Sequence, residues 1–182
     1  MPNYFHADNV APSLVRSMVA VNKKPKQFFE DMTCEGSYKD CTILLSLLML
    51  FPALEQLYFF DDFKILLYLI PGIIAGGIFI AWLWAEYVHR ALRVFHNIHV
   101  DKVGVFRVVA YANSLNVLHL TVYLSPVVLV WQTYLMYRGF VSHLGINAEV
   151  AGWLVAIPFI FITFSGLGIV MFMGVTGIIH FD

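Results

Sequence analysis

The sequence predicts an all-α protein, a polytopic helical membrane bundle of five transmembrane helices, with four as the alternative count. Three observations predict it. The chain is 60% hydrophobic and only 13% charged, against roughly 25% charged in an ordinary soluble domain. Val108–Tyr137 contains no Asp, Glu, Lys or Arg, and Thr42–Leu54, Ile65–Ala85 and Val150–Ile179 are further uncharged runs. None of them alternates polar with apolar as barrel strands do, and only helices otherwise satisfy their own backbone in lipid.

The first 41 residues read as a polar region before the bundle, which fills 42–182. Within it, Pro25 and the following Lys26-Gln27-Phe28-Phe29-Glu30-Asp31-Met32 predict a short amphipathic helix. Phe28, Phe29 and Met32 are expected in the membrane interface, with Lys23, Lys24 and Lys26 near headgroups. A cap packed on the bundle is the alternative. No removable signal peptide is evident. Cys34 and Cys41 are seven apart, neither a CxxC pair nor a zinc spacing, and are expected to be inert thiols.

The first span is expected from about Thr42 to Phe60, with Glu55 reaching the interface. Asp61-Asp62-Phe63-Lys64 then turns into the second span. There Pro71 should kink the helix, while Gly72, Gly76 and Gly77 should let another backbone approach. Trp82 and Trp84 mark its exit. The connection 86–107 carries Arg90, Arg93, Lys102 and Arg107 against Glu86 and Asp101. By the positive-inside rule this connection and the N-terminus face the cytoplasm, and Asp61-Asp62 faces out.

Val108–Tyr137 as one helix would be about 45 Å long, well beyond a hydrocarbon core of about 30 Å. Pro126 divides it into spans Phe106–Leu124 and Pro126–Phe140. A fifth span begins near Val150 and is loosened at Gly166-Leu167-Gly168. Five spans leave the C-terminus outside, four leave it inside.

Three stretches carry a family resemblance: Pro25-Lys26-Gln27-Phe28-Phe29 before the first span, Phe106-Arg107-Val108-Val109-Ala110-Tyr111-Ala112 at the start of the third, and Arg138-Gly139-Phe140-Val141-Ser142-His143-Leu144-Gly145-Ile146 before the fifth. With the span order, these resemble the Yip1 family of small multi-span membrane proteins, particularly its bacterial members. The resemblance implies a five-helix, non-enzymatic protein of the inner membrane that acts through partners. The Rab-binding role of eukaryotic relatives is not carried over.

Asn113, Asn116, His119 and Tyr123 fall within about 120° of one α-helical face. In lipid such a face must look inward. It is read as hydrogen-bond glue between helices, with a lining for a ligand, quinone, haem or proton path as the alternative. His89, His96 and His99, with Glu86 three residues before His89, are the candidates for a metal, though no compact ligand motif joins them. For haem, His89, His119, His143 and His180 do not pair at matched depth.

Net charge is −1, which gives nucleic acid no electrostatic attraction. Ser114, Ser125, Ser142 and Ser165 lack a nucleophile-elbow context, and no phosphate loop or intramembrane carboxylate pair occurs. The expected function is therefore a non-enzymatic, cofactor-free membrane protein that scaffolds or accompanies other membrane proteins. The alternative is a small anchor subunit of a respiratory or electron-transfer complex, holding quinone or haem near His119.

Overall fold

The computed structural model describes residues 4–32, 38–58, 63–120 and 125–160. Every regular element among these residues is a helix. In order they are α1 (Val10–Lys23), α2 (Pro25–Glu30), α3 (Tyr38–Glu55), α4 (Phe63–Phe95), α5 (Lys102–Ala112), α6 (Ser125–Ser142) and α7 (Ala148–Ile160). Short 3₁₀ turns precede α1 and follow α3, and a longer 3₁₀ helix, Asn113–Leu120, continues α5.

The bundle is built around α5. Asp101 caps it by accepting from the backbone N–H groups of Val103 (3.2 Å) and Gly104 (3.1 Å), which satisfies two of the donors a helix start leaves open. From Gly104 to Ala112 every residue is buried. A helix without an exposed side must be enclosed, and α1, α3, α4 and α6 all touch it. The spacing on its neighbours shows how. Cys41, Leu44, Leu45 and Leu48 form the buried stripe of α3, and Ala81, Ala85, Val88 and Leu92 that of α4, both at helical three- and four-residue intervals.

α4 runs unbroken through Pro71. At about 1.5 Å per residue it is roughly 50 Å long, so it outreaches a hydrocarbon core of about 30 Å. Lys64–Phe95 is long and apolar enough to cross a membrane, the one such helix among the described residues. Only 11% of its apolar window is buried. The core helix of a soluble protein hides its apolar surface, whereas lipid is a good solvent for one left bare. Leu67, Tyr68, Phe79 and Ile80 accordingly stand exposed along it.

Two helices end alike. Asn97 (φ 53°) and Gly145 (φ 65°) adopt the left-handed conformation after α4 and α6. The next residues, Ile98 and Ile146, donate their N–H groups to the carbonyls of Leu92 (3.0 Å) and Phe140 (3.2 Å), which closes the helix ends. At the other end of α6, Pro126 falls in the first turn, where its missing N–H has no intrahelical role.

Of the two arrangements expected for the N-terminal segments, the structure has the cap packed on the bundle. α1 is a full helix where only a polar stretch was expected. Phe28 (4% exposed), Phe29 (0%) and Met32 (4%) lie in the core rather than in the interface. The reason is aromatic packing: Phe28 meets Tyr111 edge-on with ring centres 4.9 Å apart, and Tyr4 and Phe29 surround it at 5.8 and 5.5 Å. Burying such rings contributes more than leaving them at a headgroup layer. Glu55, expected at the interface, is also buried, at 9% exposed.

Close helix approach falls mainly on a glycine that hydropathy reading passed over. A Cβ placed on Gly139 would collide with Val108 and sit 3.1 Å from Phe29 Cε1. Gly77 is crowded by Met49, but no described atom lies within 4 Å of a Cβ at Gly72 or Gly76. Gly139→Ala is therefore expected to destabilise the purified protein by about 1–3 kcal/mol through overpacking, while Gly76→Ala leaves the thermal midpoint within experimental scatter or raises it. Thermal melts of both variants in one detergent check the contrast.

Candidate functional site

The polar seam forms where α5 changes its winding. The Asn113 side chain donates from Nδ2 to the Val109 carbonyl at 2.8 Å, the carbonyl that its own backbone N–H would take in an α-helix. The Asn113 N–H turns instead to the Ala110 and Tyr111 carbonyls. Competition of this kind between an Asn side chain and the backbone ends α-helices, and here it starts the 3₁₀ helix. With three residues per turn, positions three apart eclipse. Asn113, Asn116 and His119 thus stand in register more tightly than in the α-helix expected from the sequence. Tyr123 and the His119 side chain lie outside what is described.

Asn116 is the junction of the seam. It is 4% exposed. Its Nδ2 donates to Asn113 Oδ1 at 3.3 Å and to Met49 Sδ on α3 at 3.6 Å. Its Oδ1 accepts from Gln132 Nε2 on α6. One turn away, Asn22 at the end of α1 donates to Ser114 Oγ (2.9 Å) and accepts from Trp131 Nε1 (2.8 Å). These bonds join α1, α3, the 3₁₀ helix and α6. Neither Asn22 nor Gln132 was singled out by the sequence, because nothing in their local spacing marks them. Only the fold brings them to the seam.

A second buried constellation was missed for a different reason. Arg107 was assigned to the charged connection, yet it is 6% exposed inside α5. It hydrogen-bonds Cys41, a free and buried thiol, and acts electrostatically on Tyr111 and His143. Tyr111 in turn accepts the Phe5 N–H at 2.9 Å, which fixes the start of the chain. His143, just past α6, hydrogen-bonds to the backbone of Phe29 and Met32. Arg107 and His143 thus connect α3, α5, α6 and the segment around α2.

The metal candidates do not converge. His89 Nδ1 is 3.2 Å from the Val100 carbonyl. α4 ends at Phe95, so the turn at Asn97 separates His96 from His99, and both are exposed. Glu86 pairs with Arg90 at 2.6 Å and with Lys102, and Lys102 also lies over the Trp82 ring at 5.0 Å. Among the described residues, no group of three or more His, Cys, Asp or Glu is placed to hold a metal.

Beside the seam is a cavity of about 270 Å³ between α3, α4, α5, α6 and α7. Asn113 and Gln132 reach its wall, which is otherwise mainly apolar.

A family model for the Yip1 domain matches residues 20–170, most of the chain. No curated protein and no solved structure matches it.

The His143 environment has a measurable consequence. Burial depresses its pKa, the Arg107 charge adds to this, and the bonds to Phe29 and Met32 only partly offset them. The folded form therefore takes up its proton at lower pH than the unfolded form, whose value is about 6.5. Stability is full above about 6.5 and falls as pH drops toward the depressed folded value. Melts between pH 5 and 7 should show this slope in the native chain and a flatter one in His143→Gln. An equal slope in both would assign the pH dependence elsewhere.

Proposed function

The chain belongs to the Yip1 domain family, and on that premise we propose that it is a non-enzymatic integral membrane protein that scaffolds or accompanies other membrane proteins. The observation that carries this reading is at the end of α4. Beyond the apolar run, among Arg90 and Arg93, Val94 and Phe95 are 72% and 79% exposed. Large apolar side chains held bare among charges at a helix end suit contact with a partner. The seam supports the same reading, since Asn22, Asn116 and Gln132 are engaged in bonds between helices.

Five spans fit the lengths. α3 and α6 are each about 27 Å long, close to a hydrocarbon core. The 3₁₀ segment rises about 2 Å per residue, so α5 and its continuation together reach about 32 Å despite their few residues. α4 makes another, and α7 begins the last. The basic connection after α4 is then cytoplasmic, as in a bacterial inner membrane.

Two measurements test this. Gentle purification should recover membrane partners in fixed ratio with a sample free of visible absorbance. Val94→Ser combined with Phe95→Ser should reduce that recovery about fivefold or more with an unchanged melt. Undiminished recovery would remove this surface from the reading, and a Soret band or a set of redox subunits would favour the electron-transfer anchor instead. Separately, a C-terminal reporter should be active outside the cytoplasm. Cytoplasmic activity would replace five spans with four.

A further inference from the structure

The tip that carries Val94 and Phe95 is chemically one-sided. From Tyr87 to Val100 there is no Asp or Glu, while Arg90 and Arg93 lie within that stretch. The acids that flank it are engaged inside this chain. Glu86 is shared between Arg90 and Lys102, so one carboxylate faces two cations. Asp101 sits on the positive end of α5, bonded to the N–H groups of Val103 and Gly104. Arg93 forms no ion pair among the described residues. At about 100° per residue, Arg90, Arg93 and Val94 share one side of α4, with Phe95 next to them.

The tip is also held rigid. The Leu92 carbonyl accepts the N–H groups of His96 (3.2 Å) and Ile98 (3.0 Å). His89 Nδ1 lies 3.2 Å from the Val100 carbonyl, and Ile98 and Val100 pack on the core. Val94 and Phe95 are therefore bare on a fixed frame, where covering them costs little ordering entropy. Height argues against the bilayer as the cover. Lys102 bonds Glu86, so residues 87–101 form one tip beyond that level, where the apolar run gives way to charge. Phe95 lies about 14 Å further along α4 at helical rise, whereas a headgroup layer is only about 5–8 Å thick.

We propose that this tip docks into an apolar cleft bordered by Asp or Glu on a protein at the water side of the membrane. Val94 and Phe95 enter the cleft and Arg93 pairs at its edge. The proposal rests on the partner reading and gives that partner its chemistry. Apolar contact alone would accept many surfaces. The cations narrow the choice to acidic ones, because like charges brought together at an interface are costly. A second copy of the same tip does not fit, since it would set arginines against arginines.

The test uses the full-length chain in its native membrane, with p-benzoylphenylalanine in place of Phe95. Irradiation is followed by mass spectrometry of the adducts. The expected adduct is a protein segment in which Asp and Glu outnumber Lys and Arg. Arg93→Glu in the same chain should lower its yield about tenfold or more, the scale of a lost charge-assisted hydrogen bond, while Arg93→Lys keeps most of it. Replacing the partner's acids by Lys should restore the yield with Arg93→Glu. Protein adducts without an acidic excess, or an acidic adduct indifferent to Arg93→Glu, would overturn the proposal and leave Val94 and Phe95 as a partner surface. Lipid adducts alone, or none, would remove that surface from both readings. Where Arg93→Glu does not fold, Arg93→Gln makes the same comparison with a smaller loss.

Discussion

Burial of a positively charged helix is the constraint on which the other contacts depend. α5 has no free face, and Arg107 is sealed within it. A buried guanidinium is costly unless its environment is polar. Much of the surrounding architecture places such groups: Cys41 from α3, Tyr111 one turn along, and His143 beyond α6. The same groups bring in the N-terminal segments, because His143 bonds the backbone of Phe29 and Met32 and Tyr111 bonds Phe5. Gly139 completes the enclosure, since only a residue without a side chain lets α6 approach Val108 and Phe29. The cluster and the aromatic packing are thus one arrangement viewed from two sides.

The seam resolves a second problem at the other end of α5. On the proposed five-span reading α5 crosses with few residues, and 3₁₀ geometry gains about 0.5 Å per residue over the α form. Eight 3₁₀ residues are an unusually long run, with poorer backbone bonding than an α-helix. Here side chains compensate. Asn113 starts the change and Asn116 fixes it against Met49 and Gln132, while Ser114 meets Asn22. In this account the polar residues of the seam are bound up with the backbone geometry, beyond holding neighbouring helices together.

How much of this was legible depends on the kind of signal. Helical class, the long second apolar helix and the start of α6 at Ser125-Pro126 follow from hydropathy and proline placement, which are local. The alignment of Asn113, Asn116 and His119 was visible as a three-residue spacing, although the 3₁₀ winding that tightens it was not. Arg107 was misplaced because charge alone sends an arginine to the connection, and its burial follows only from the enclosure of α5. Gly139 looked like part of a loop motif, while Gly72 and Gly76, in a familiar small-residue spacing, have no described neighbour. Asn22 and Gln132 carry no local mark.

α1 shows how a stretch of mixed polarity packs on the bundle. Its buried positions are Ser13, Ser17 and Val21, four residues apart, while Val15 and Val19 are 61% and 57% exposed. Beside the serines, Leu14, Met18 and Val21 form an apolar inner stripe at helical spacing that packs on the core. The serines can be buried because they satisfy themselves locally: Ser13 Oγ donates to the Val10 carbonyl at 3.2 Å and Ser17 Oγ to the Leu14 carbonyl at 3.0 Å. Outward, Val15 and Val19 share their face with exposed Arg16 and Lys23. α6 differs, with Val127, Leu129 and Val130 outward and Gln132 turned to Asn116, a pattern that lipid tolerates because an exposed apolar side chain costs nothing there. α1 thus packs on the bundle through small and apolar residues while its charges stay outside.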